Sequence, residues 1–510
     1  MAPGVGQPGV VSGSPVRRRS AVELALSLDE QPGRRLRERL RGALVDSVVT
    51  GRLDAGQLVP SSRALAAQLR IGRGTVVEVY AQLIAEGYLE TRPGGGTWVA
   101  AWPGGPAPDP RGRLRRLADR VRSAEPVDLR PGVGDLSAFP RDAWLSAMRS
   151  VSREVPHRQL GLPPPAGVGA LREEVASYLR RTRGSAAIHA DDVLIVAGVT
   201  QGVALLATVA HRRGASHVAV ELPGDPVRRR QLTRLGLQTV DLPVDADGAD
   251  VDVLAGSGAD AVLLAPAHQF PLGVRLSDTR RSQVLRWAND CDGLIVEDDR
   301  GAELTYGQPA SFCLHRDDPN RVALLGSVST TLAPGLRLGW LVPPAALHAD
   351  LVQAKRDADA GTPVLEQHAL ARLLRHGMYE RHLRMLRQRY RMRHDALLDA
   401  LAMYLPDWRP FTADAAGLTL SLLLPEHIDE TALVAAARTA GVMLTGLGVY
   451  RGDRPGPPGV VLDFAAQGSR MLTDGVRRLQ TITDTNNGRR RSQAVDVPRT
   501  GRTGAGAGPG

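Results

Sequence analysis

Hydroxyl side chains and one arginine are concentrated in the run SVSTTLAPGLRLGW, from Ser327 to Trp340. The run follows an apolar stretch, Val322 to Leu325, and turns through Pro334 and Gly335 into a second apolar stretch, which is typical of an active-site loop. Covalent catalysis through a Schiff base needs an amine, because a hydroxyl cannot form an imine with an aldehyde. The only lysine of the chain is Lys355, so the loop lacks a Schiff-base nucleophile.

The same run resembles the signature G-T-F-S-K-T-L-A-P-G-L-R-L-G of the MocR-type regulators, in which a winged-helix head is joined to an aminotransferase-like body. In that family the lysine forms an internal Schiff base with pyridoxal 5'-phosphate (PLP), and the matching position here is Thr330. The resemblance also implies a phosphate-binding arginine at Arg337 and a hydroxyl of the same pocket at Ser327. It therefore implies PLP as the family cofactor but predicts that PLP is not bound covalently here.

Two further stretches resemble cofactor-binding segments of such a body. In IVEDDRGAEL, Asp298 matches the aspartate that pairs with the pyridine nitrogen of PLP. In VAGVTQGVALL, Gly198 and Gln201 match the phosphate-binding stretch, where backbone N–H groups at a helix start can hold an anion. His268 in PAHQFPLG matches a loop beside the cofactor, and we interpret it as part of the loop architecture.

Other positions of the resemblance lack the expected side chains. Arg300 replaces a tyrosine that binds the phenolic oxygen, Asp225 replaces the tyrosine that stacks on the ring, and Leu162 replaces a third tyrosine. The segment VVLDFA contains no arginine where aminotransferases hold the substrate carboxylate. These losses argue against noncovalent PLP binding as well. They leave a second interpretation of Asp298 and Arg337, as a structural ion pair or loop anchor.

Residues 34–100 show a different pattern, two short helices joined by a tight turn and followed by two strands with a glycine-rich tip. The string VPSSRALAAQLRIGRGTVVEVYAQLIAEGYLETRPGGGTWV resembles the GntR-type winged helix almost throughout. The first and third helices carry apolar residues at helical spacing, namely Leu36, Leu40, Leu44, Val48, Val76, Val79, Tyr80, Leu83 and Ile84.

The resemblance implies that the third helix lies in the major groove of double-stranded DNA. Arg73, near the start of that helix, is the candidate for a base-edge contact, because its guanidinium can bind guanine through two hydrogen bonds. The alternative is that this arginine is merely solvated. Contacts with the sugar-phosphate backbone are expected from a set of polar and glycine residues, namely Ser62, Arg63, Thr75, Gly94 and Gly95.

From residue 128 the chain resembles a fold-type I aminotransferase, with apolar runs that alternate with helical stretches and so predict a mostly parallel sheet. The predicted strands are Val193 to Val196, Val218 to Val220, Ala261 to Leu264 and Leu294 to Val296. The predicted domains are a disordered tail (1–30), the winged helix (31–100), a Pro/Arg-rich linker (101–127), a large domain (128–385), a small C-terminal domain (386–482) and a second disordered tail (483–510).

The composition excludes several other classes of protein. The net charge of +10 comes from three arginine runs in the predicted tails and linker, so it does not by itself indicate a basic folded surface. No apolar window is long enough for a transmembrane helix, and no signal peptide is recognisable, which predicts a cytoplasmic protein without membrane contact. Cys291 and Cys313 lack metal-ligand spacing, so no metal site is predicted.

The predicted fold is an α+β winged helix-turn-helix head joined to an α/β fold-type I PLP-dependent-transferase-like body with a small C-terminal α+β subdomain. The predicted function is a sequence-specific, DNA-binding transcriptional regulator that binds its operator as a homodimer. Its body is expected to be catalytically inactive and to sense an unknown small-molecule effector. Two alternatives stay open, a PLP-dependent enzyme with a DNA-binding appendage and a regulator whose body only dimerises.

Overall fold

The computed structural model describes residues 36–49, 53, 56–69, 71–92, 96–100, 126–132, 134–306, 312–412 and 416–495. These residues belong to two compact units that divide between Ala118 and Asp119. The division lies within the predicted linker, most of which is outside the described residues, as are the predicted N-terminal tail and residues 496–510.

The described part of the N-terminal unit contains helices α1 (Leu36–Val49), α2 (Ser62–Leu69) and α3 (Arg73–Ala85), followed by strands β1 (Leu89–Arg92) and β2 (Gly96–Val99). The two strands form an antiparallel hairpin in which Arg92 pairs with Gly96. The core of the unit is built from the predicted apolar faces, with Leu40, Leu44, Val76, Val79, Tyr80 and Leu83 all buried. The predicted winged helix-turn-helix is therefore confirmed. Leu36, the first residue of α1, remains exposed.

The C-terminal unit begins with β3 (Val127–Asp128) and is centred on a mixed eight-stranded sheet. The sheet contains β4 (Leu194–Val196), β5 (His217–Leu222), β6 (Gln238–Asp245), β7 (Gly248–Ala249), β8 (Ala261–Leu264), β9 (Leu294–Asp298), β10 (Val322–Ser327) and β11 (Gly339–Val342). Their spatial order is β4-β11-β10-β9-β8-β5-β6-β7. The neighbours from β10 to β6 are parallel, whereas β11 is antiparallel to both of its neighbours and β7 is antiparallel to β6.

The central strands β8 and β10 are buried along their whole length and apolar except for Ser327 at the end of β10, as expected for parallel strands covered on both faces. The surrounding helices are α4 (Arg141–Glu154), α5 (Gly169–Arg183), α6 (Val199–Arg212), α7 (Pro226–Arg234), α8 (Asp278–Asp290), α9 (Ala345–Asp359) and α10 (Val364–Arg375). Short 3-10 helices span Leu136–Ala138, His157–Leu160, Ala190–Asp192, Val251–Leu254, Leu314–Arg316 and Pro334–Leu336. The predicted α/β body is confirmed.

The small C-terminal part packs around the long helix α11 (Met378–Tyr404). It contains β12 (Arg409–Pro410), β13 (Thr419–Leu423), α12 (Glu430–Thr439), β14 (Val442–Met443), β15 (Thr445–Gly446), α13 (Gly448–Arg451), β16 (Gly459–Asp463) and α14 (Ser469–Val495). Four strands form the sheet β12-β13-β16-β15, and β14 pairs with β3. The proposed boundary at residue 386 lies within α11, and the tail proposed from residue 483 begins within α14.

The sheet topology brings two predicted site segments together. Strands β9 and β10 are parallel neighbours, so their carboxyl ends meet at the same edge of the sheet. Asp298 ends β9, and the loop that carries Thr330 follows β10.

Candidate functional site

The N-terminal unit displays its DNA-binding candidates at the starts of α2 and α3. Arg63 and Arg73 are exposed, whereas Ser62 and Thr75 are half-buried. Helix α3 packs its opposite face into the core, and the Tyr80 hydroxyl donates a hydrogen bond to the Pro60 carbonyl oxygen at 2.8 Å. This bond holds α3 against the chain that leads into α2.

Neither Arg63 nor Arg73 forms an ion pair with any residue that the structure describes, although two other arginines of this unit do. Gly94 and Gly95 lie outside the described residues, between the paired ends of β1 and β2. The first turns of α2 and α3 therefore present unpaired cationic side chains beside a hairpin.

The C-terminal unit contains a cavity of about 420 Å³, a size typical of small-molecule sites. Its lining combines apolar and aromatic residues with a few polar groups. The polar and aromatic groups include Asp225, His268, Phe270, Asp298, Arg300, Thr330, Thr419 and Tyr450.

Asp298 is bound by the protein itself. Arg300 Nε donates to both carboxylate oxygens of Asp298, at 2.8 and 2.9 Å, and Arg300 Nη2 donates to Oδ2 at 2.6 Å. Burial alone would raise the pKa of Asp298, but the adjacent Arg300 guanidinium reverses that effect and lowers the pKa below its ordinary value. Asp298 is thus a carboxylate whose counter-ion is supplied two residues further along the chain.

The Thr330 side chain lines the cavity and forms no hydrogen bond with any of the described residues. Its Oγ1 is buried and has no hydrogen-bond partner in that part of the chain. The neighbouring Thr331 faces the other way, and its hydroxyl lies 2.9 Å from the Tyr379 hydroxyl. Tyr379 in turn donates to Glu303 at 3.1 Å, so the loop is held from behind by a buried network.

The four predicted phosphate-site residues cluster at the N-terminus of α6, and none of them is among the residues that line the 420 Å³ cavity. Arg337 Nη2 donates to the Ala197 carbonyl oxygen, and a Cβ placed on Gly198 would lie 3.4 Å from Arg337 Nη1. Gln201 accepts from the Ala197 N–H at 2.7 Å and donates to Asp359 at 2.6 Å.

The last of these residues, Ser327, accepts a hydrogen bond through its Oγ from the Ser329 N–H at 3.4 Å. Its side chain, like those of Arg337 and Gln201, is therefore bonded to the protein.

Asp225 and Leu162 stand at the other two positions where the family has a tyrosine. One is bonded to the protein, and the other lies outside the cavity. Asp225 caps α7, because its Oδ1 accepts from the Val227 N–H at 2.8 Å. Leu162 is 90% exposed and is not part of the cavity. His268 is packed closely, since a Cβ at Gly301 or Gly417 would come within 2.7 and 2.0 Å of its side chain.

The residues present do not fit PLP. The position that would supply an amine holds Thr330, both oxygens that would pair with the pyridine nitrogen already accept hydrogen bonds from Arg300, and the position of the stacking ring holds a helix-capping carboxylate. No group of three or more possible metal ligands occurs among the residues that were described.

The sequence interpretation missed Arg228, which is buried beside this site. Its position offered one signal, because Arg228 stands four residues before Leu232 and so shares the buried face of α7. The adjacent arginines in the run RRR obscured that pattern.

Comparison with known proteins places the chain in a family. Residues 36–99 match the family of bacterial regulatory proteins, gntR family, and residues 132–457 match aminotransferase class I and II. The chain is 32% identical over 435 residues to the HTH-type pyridoxine biosynthesis transcriptional regulator PdxR of Corynebacterium glutamicum, covering 83% of this chain and 91% of that protein. The chain belongs to the MocR-type regulators of the GntR family.

Other relatives agree with this assignment. The probable rhizopine catabolism regulatory protein MocR of Rhizobium meliloti is 28% identical, over 88% of this chain and 93% of its own. The body of this MocR-type regulator is similar to Pyrococcus horikoshii kynurenine aminotransferase, with a TM-score of 0.65 and 25% identity over 73% of this chain and 94% of that chain. The protein is a DNA-binding transcriptional regulator with an aminotransferase-like body. Within the described residues, no helix is long and apolar enough to span a membrane.

Proposed function

We propose that this regulator binds its operator through the first turns of α2 and α3 and uses its body as a cofactor-independent sensing and dimerisation domain. The observation that carries the proposal for the body is the Arg300–Asp298 pair, with contacts of 2.6–2.9 Å. Arg300 is a counter-ion for Asp298 within the protein itself. Asp298 therefore does not need the protonated pyridine nitrogen of PLP as a counter-ion. The cavity that remains, about 420 Å³, is large enough for a small effector.

The body is not an aminotransferase under this proposal. Transamination requires a residue that moves a proton at the substrate carbon, and in this fold that residue is the Schiff-base amine. Thr330 cannot accept a proton at neutral pH, and Lys355 is buried with its Nζ donating to Asp359 at 2.7 Å. The described side chains around the cavity therefore lack the amine that would replace the missing lysine.

The head supports DNA binding through its exposed arginines. Arg73 stands at the start of α3, where a major-groove helix contacts base edges. Arg63 and Thr75 are placed to contact phosphates, which positions the helix without reading sequence. A DNA-bound regulator functions where the chromosome is, which supports the predicted cytoplasmic location.

Fluorescence anisotropy with a selected operator and a scrambled duplex tests the head. Arg73→Ala should weaken operator binding by about 1–3 kcal/mol and leave the scrambled duplex nearly unaffected. Arg37→Ala is the matched control, because Arg37 is exposed on α1 and pairs with Glu78 at 3.3 Å. Equal losses on both duplexes would reject a base-reading role for Arg73.

The proposed homodimer is supported by apolar residues left at the surface. Leu136, Leu145, Leu160 and Leu162 are between 46% and 90% exposed, and all belong to residues 136–162. Exposed apolar groups concentrated in one segment are typical of a protein–protein interface.

Light scattering coupled to size exclusion should show a dimer that Leu162→Glu weakens. Met403→Glu should leave it intact, because Met403 is also exposed but lies elsewhere on the unit, at the end of α11. A monomeric wild-type protein at micromolar concentration would reject the dimer.

A further inference from the structure

A second, smaller cavity of about 60 Å³ adjoins the main one. The two share Asp225, Ala265, Phe270, Asp298 and Arg300 in their linings. The smaller cavity alone is also lined by Glu221, Arg228 and Arg229. Its volume suits a group of a few atoms, larger than one water molecule.

Arg228 is a buried cation that forms no ion pair with any carboxylate in the described part of the chain. It is 8% exposed, and its hydrogen bonding among the described residues is limited to one neutral acceptor, Gln231 Oε1, at 2.7 Å. Burial lowers the pKa of Arg228, the positive charge of Arg300 lowers it further, and the carboxylates of Asp298 and Asp225 only partly oppose this effect. By contrast, the buried Arg183 is bound by both oxygens of Asp299, at 2.8 and 2.5 Å. A buried charge that lacks such a partner is costly, so Arg228 is under-satisfied.

Arg229 and Arg300, the other two arginines that line this cavity, differ in which of their N–H groups are hydrogen-bonded. Arg229 is paired through Nη1 with Asp241 at 2.7 Å and with Thr239 at 2.9 Å, and its buried Nη2 has no hydrogen-bond partner among the described residues. Arg300 binds Asp298 through Nε and Nη2, while its Nη1 makes no hydrogen bond within the described chain. Arg228 and Nη1 of Arg300 are therefore donors that line the same small cavity and still have capacity.

The acidic groups nearby limit the charge of a ligand. Burial raises the pKa of Glu221 to about 8, so this carboxyl is mostly neutral at pH 7. Asp298 is neutralised by Arg300, and Asp225 is engaged at the positive N-terminus of α7. Arg228 is thus one uncompensated cation beside the carboxylates of Asp298 and Asp225. This arrangement favours a ligand with a single negative charge over a ligand with two.

We propose that the small cavity is a carboxylate subsite, in which Arg228 and Nη1 of Arg300 bind the carboxylate of a small amphipathic monocarboxylate. The apolar part of the ligand lies in the larger cavity, against Phe270, Leu304 and Tyr450. Paired donors of this kind match the two oxygens of a carboxylate. The inference rests on the proposed sensing function and names the chemical class of its effector.

Thermal unfolding of the full-length protein tests the subsite with simple anions in place of the natural ligand. The probes are butyrate, benzoate and phenylacetate, with benzamide as the neutral control and inorganic phosphate as the alternative anion, all at constant ionic strength. At least one carboxylate should give a saturable rise in Tm through linkage, and benzamide should give none. A rise with phosphate alone would overturn the monocarboxylate assignment.

The Arg228→Met variant supplies a readout that needs no ligand. Removal of an under-satisfied buried cation should raise the Tm of the ligand-free protein by about 2 °C and abolish the carboxylate-dependent rise. Arg230→Met, on the exposed side of α7, should change neither value. A lower Tm for Arg228→Met, or the same carboxylate response in that variant and the wild type, would overturn the subsite.

Operator affinity separates this inference from the function on which it rests. Carboxylates that bind through Arg228 and also change operator affinity would support both. Binding without any change in operator affinity would retain the subsite and reject the sensing function. A different effector that acts on operator binding in the Arg228→Met variant would retain sensing and reject the subsite.

Discussion

The two ends of the body's PLP-type site differ in what their side chains bind. At the ring end, Asp298 and Arg300 bind each other and, with Thr330, line an open cavity. At the phosphate end, Arg337 and Gln201 keep the residue types that the family uses, yet both are bonded to the backbone around Ala197. A matching residue type therefore does not establish a cofactor role. The bonds it makes in the fold decide that role.

The two ends also differ in how much their bonds contribute to the stability of the fold. Asp298 is largely buried, with 11% of its side chain exposed, so its counter-ion matters to the fold. Arg337 is at the surface, where a hydrogen bond to a carbonyl oxygen contributes less. Substitutions at the ring end should consequently change stability more than substitutions at the phosphate end.

The largest effect is expected for Arg300→Met, which leaves Asp298 buried without its partner. The free energy of unfolding should fall in denaturant titrations by an amount near the lower end of the ~3–5 kcal/mol typical of a fully buried pair, because the Arg300 side chain is 37% exposed and partly screened by solvent. Arg454→Met is the control, because Arg454 pairs with Asp241 at 2.8 Å but is 67% exposed and should cost less than about 1 kcal/mol. The double variant Asp298→Asn with Arg300→Met should recover much of the loss, and no recovery would contradict the pairing.

A smaller effect is expected from Glu303, which holds the Thr330 loop from behind. Its carboxylate accepts from Tyr178 at 2.5 Å and from Tyr379 at 3.1 Å, and burial raises its pKa to about 7. The pKa of Glu303 is higher in the folded than in the unfolded protein. Its contribution to the free energy of unfolding is therefore fully present below the unfolded pKa and is lost as pH rises through 7. The loss is on the order of 3 kcal/mol.

Unfolding titrations between pH 4 and pH 8 check this dependence. Glu303→Gln should flatten the profile by that amount, since glutamine stays neutral throughout. Glu154→Gln, at an exposed position on α4, should leave the profile unchanged. An unaltered slope in Glu303→Gln would show that this carboxyl does not titrate in the range.

The smallest effect is expected for Arg337→Ala. It removes one exposed hydrogen bond, so the free energy of unfolding should fall by about 1 kcal/mol, and the carboxylate-dependent rise in Tm should persist. A loss of more than about 3 kcal/mol would place the phosphate end among the buried, tightly coupled parts of the fold and remove the contrast between the two ends.

Much of the architecture follows from local sequence patterns. Strands β4, β5, β8 and β9 coincide with the predicted apolar runs to within a few residues, because sheet strands covered on both faces are apolar on both faces. The buried face of α3 likewise follows from the spacing of its apolar residues.

The bonds within the site are much less predictable. By residue type, Asp298 is a retained position and Arg300 a lost one, and nothing in their spacing shows that they bind each other. The burial of Arg228 depends on how α7 packs against the sheet, which its local charge pattern does not reveal. The first feature depends on the conformation of the chain after β9 and the second on tertiary packing, so the sequence indicates where the site lies but not what it can hold.

The most direct test of the central claim is a titration of the full-length protein with PLP, followed by absorbance and by calorimetry. Imine formation at a lysine outside the site should contribute little absorbance, because the single lysine, Lys355, is buried and bonded to Asp359. The Arg300–Asp298 pair predicts neither an imine band nor saturable heat. An imine band, or saturable heat that disappears in Asp298→Asn, would show that the body still binds PLP and would contradict the account.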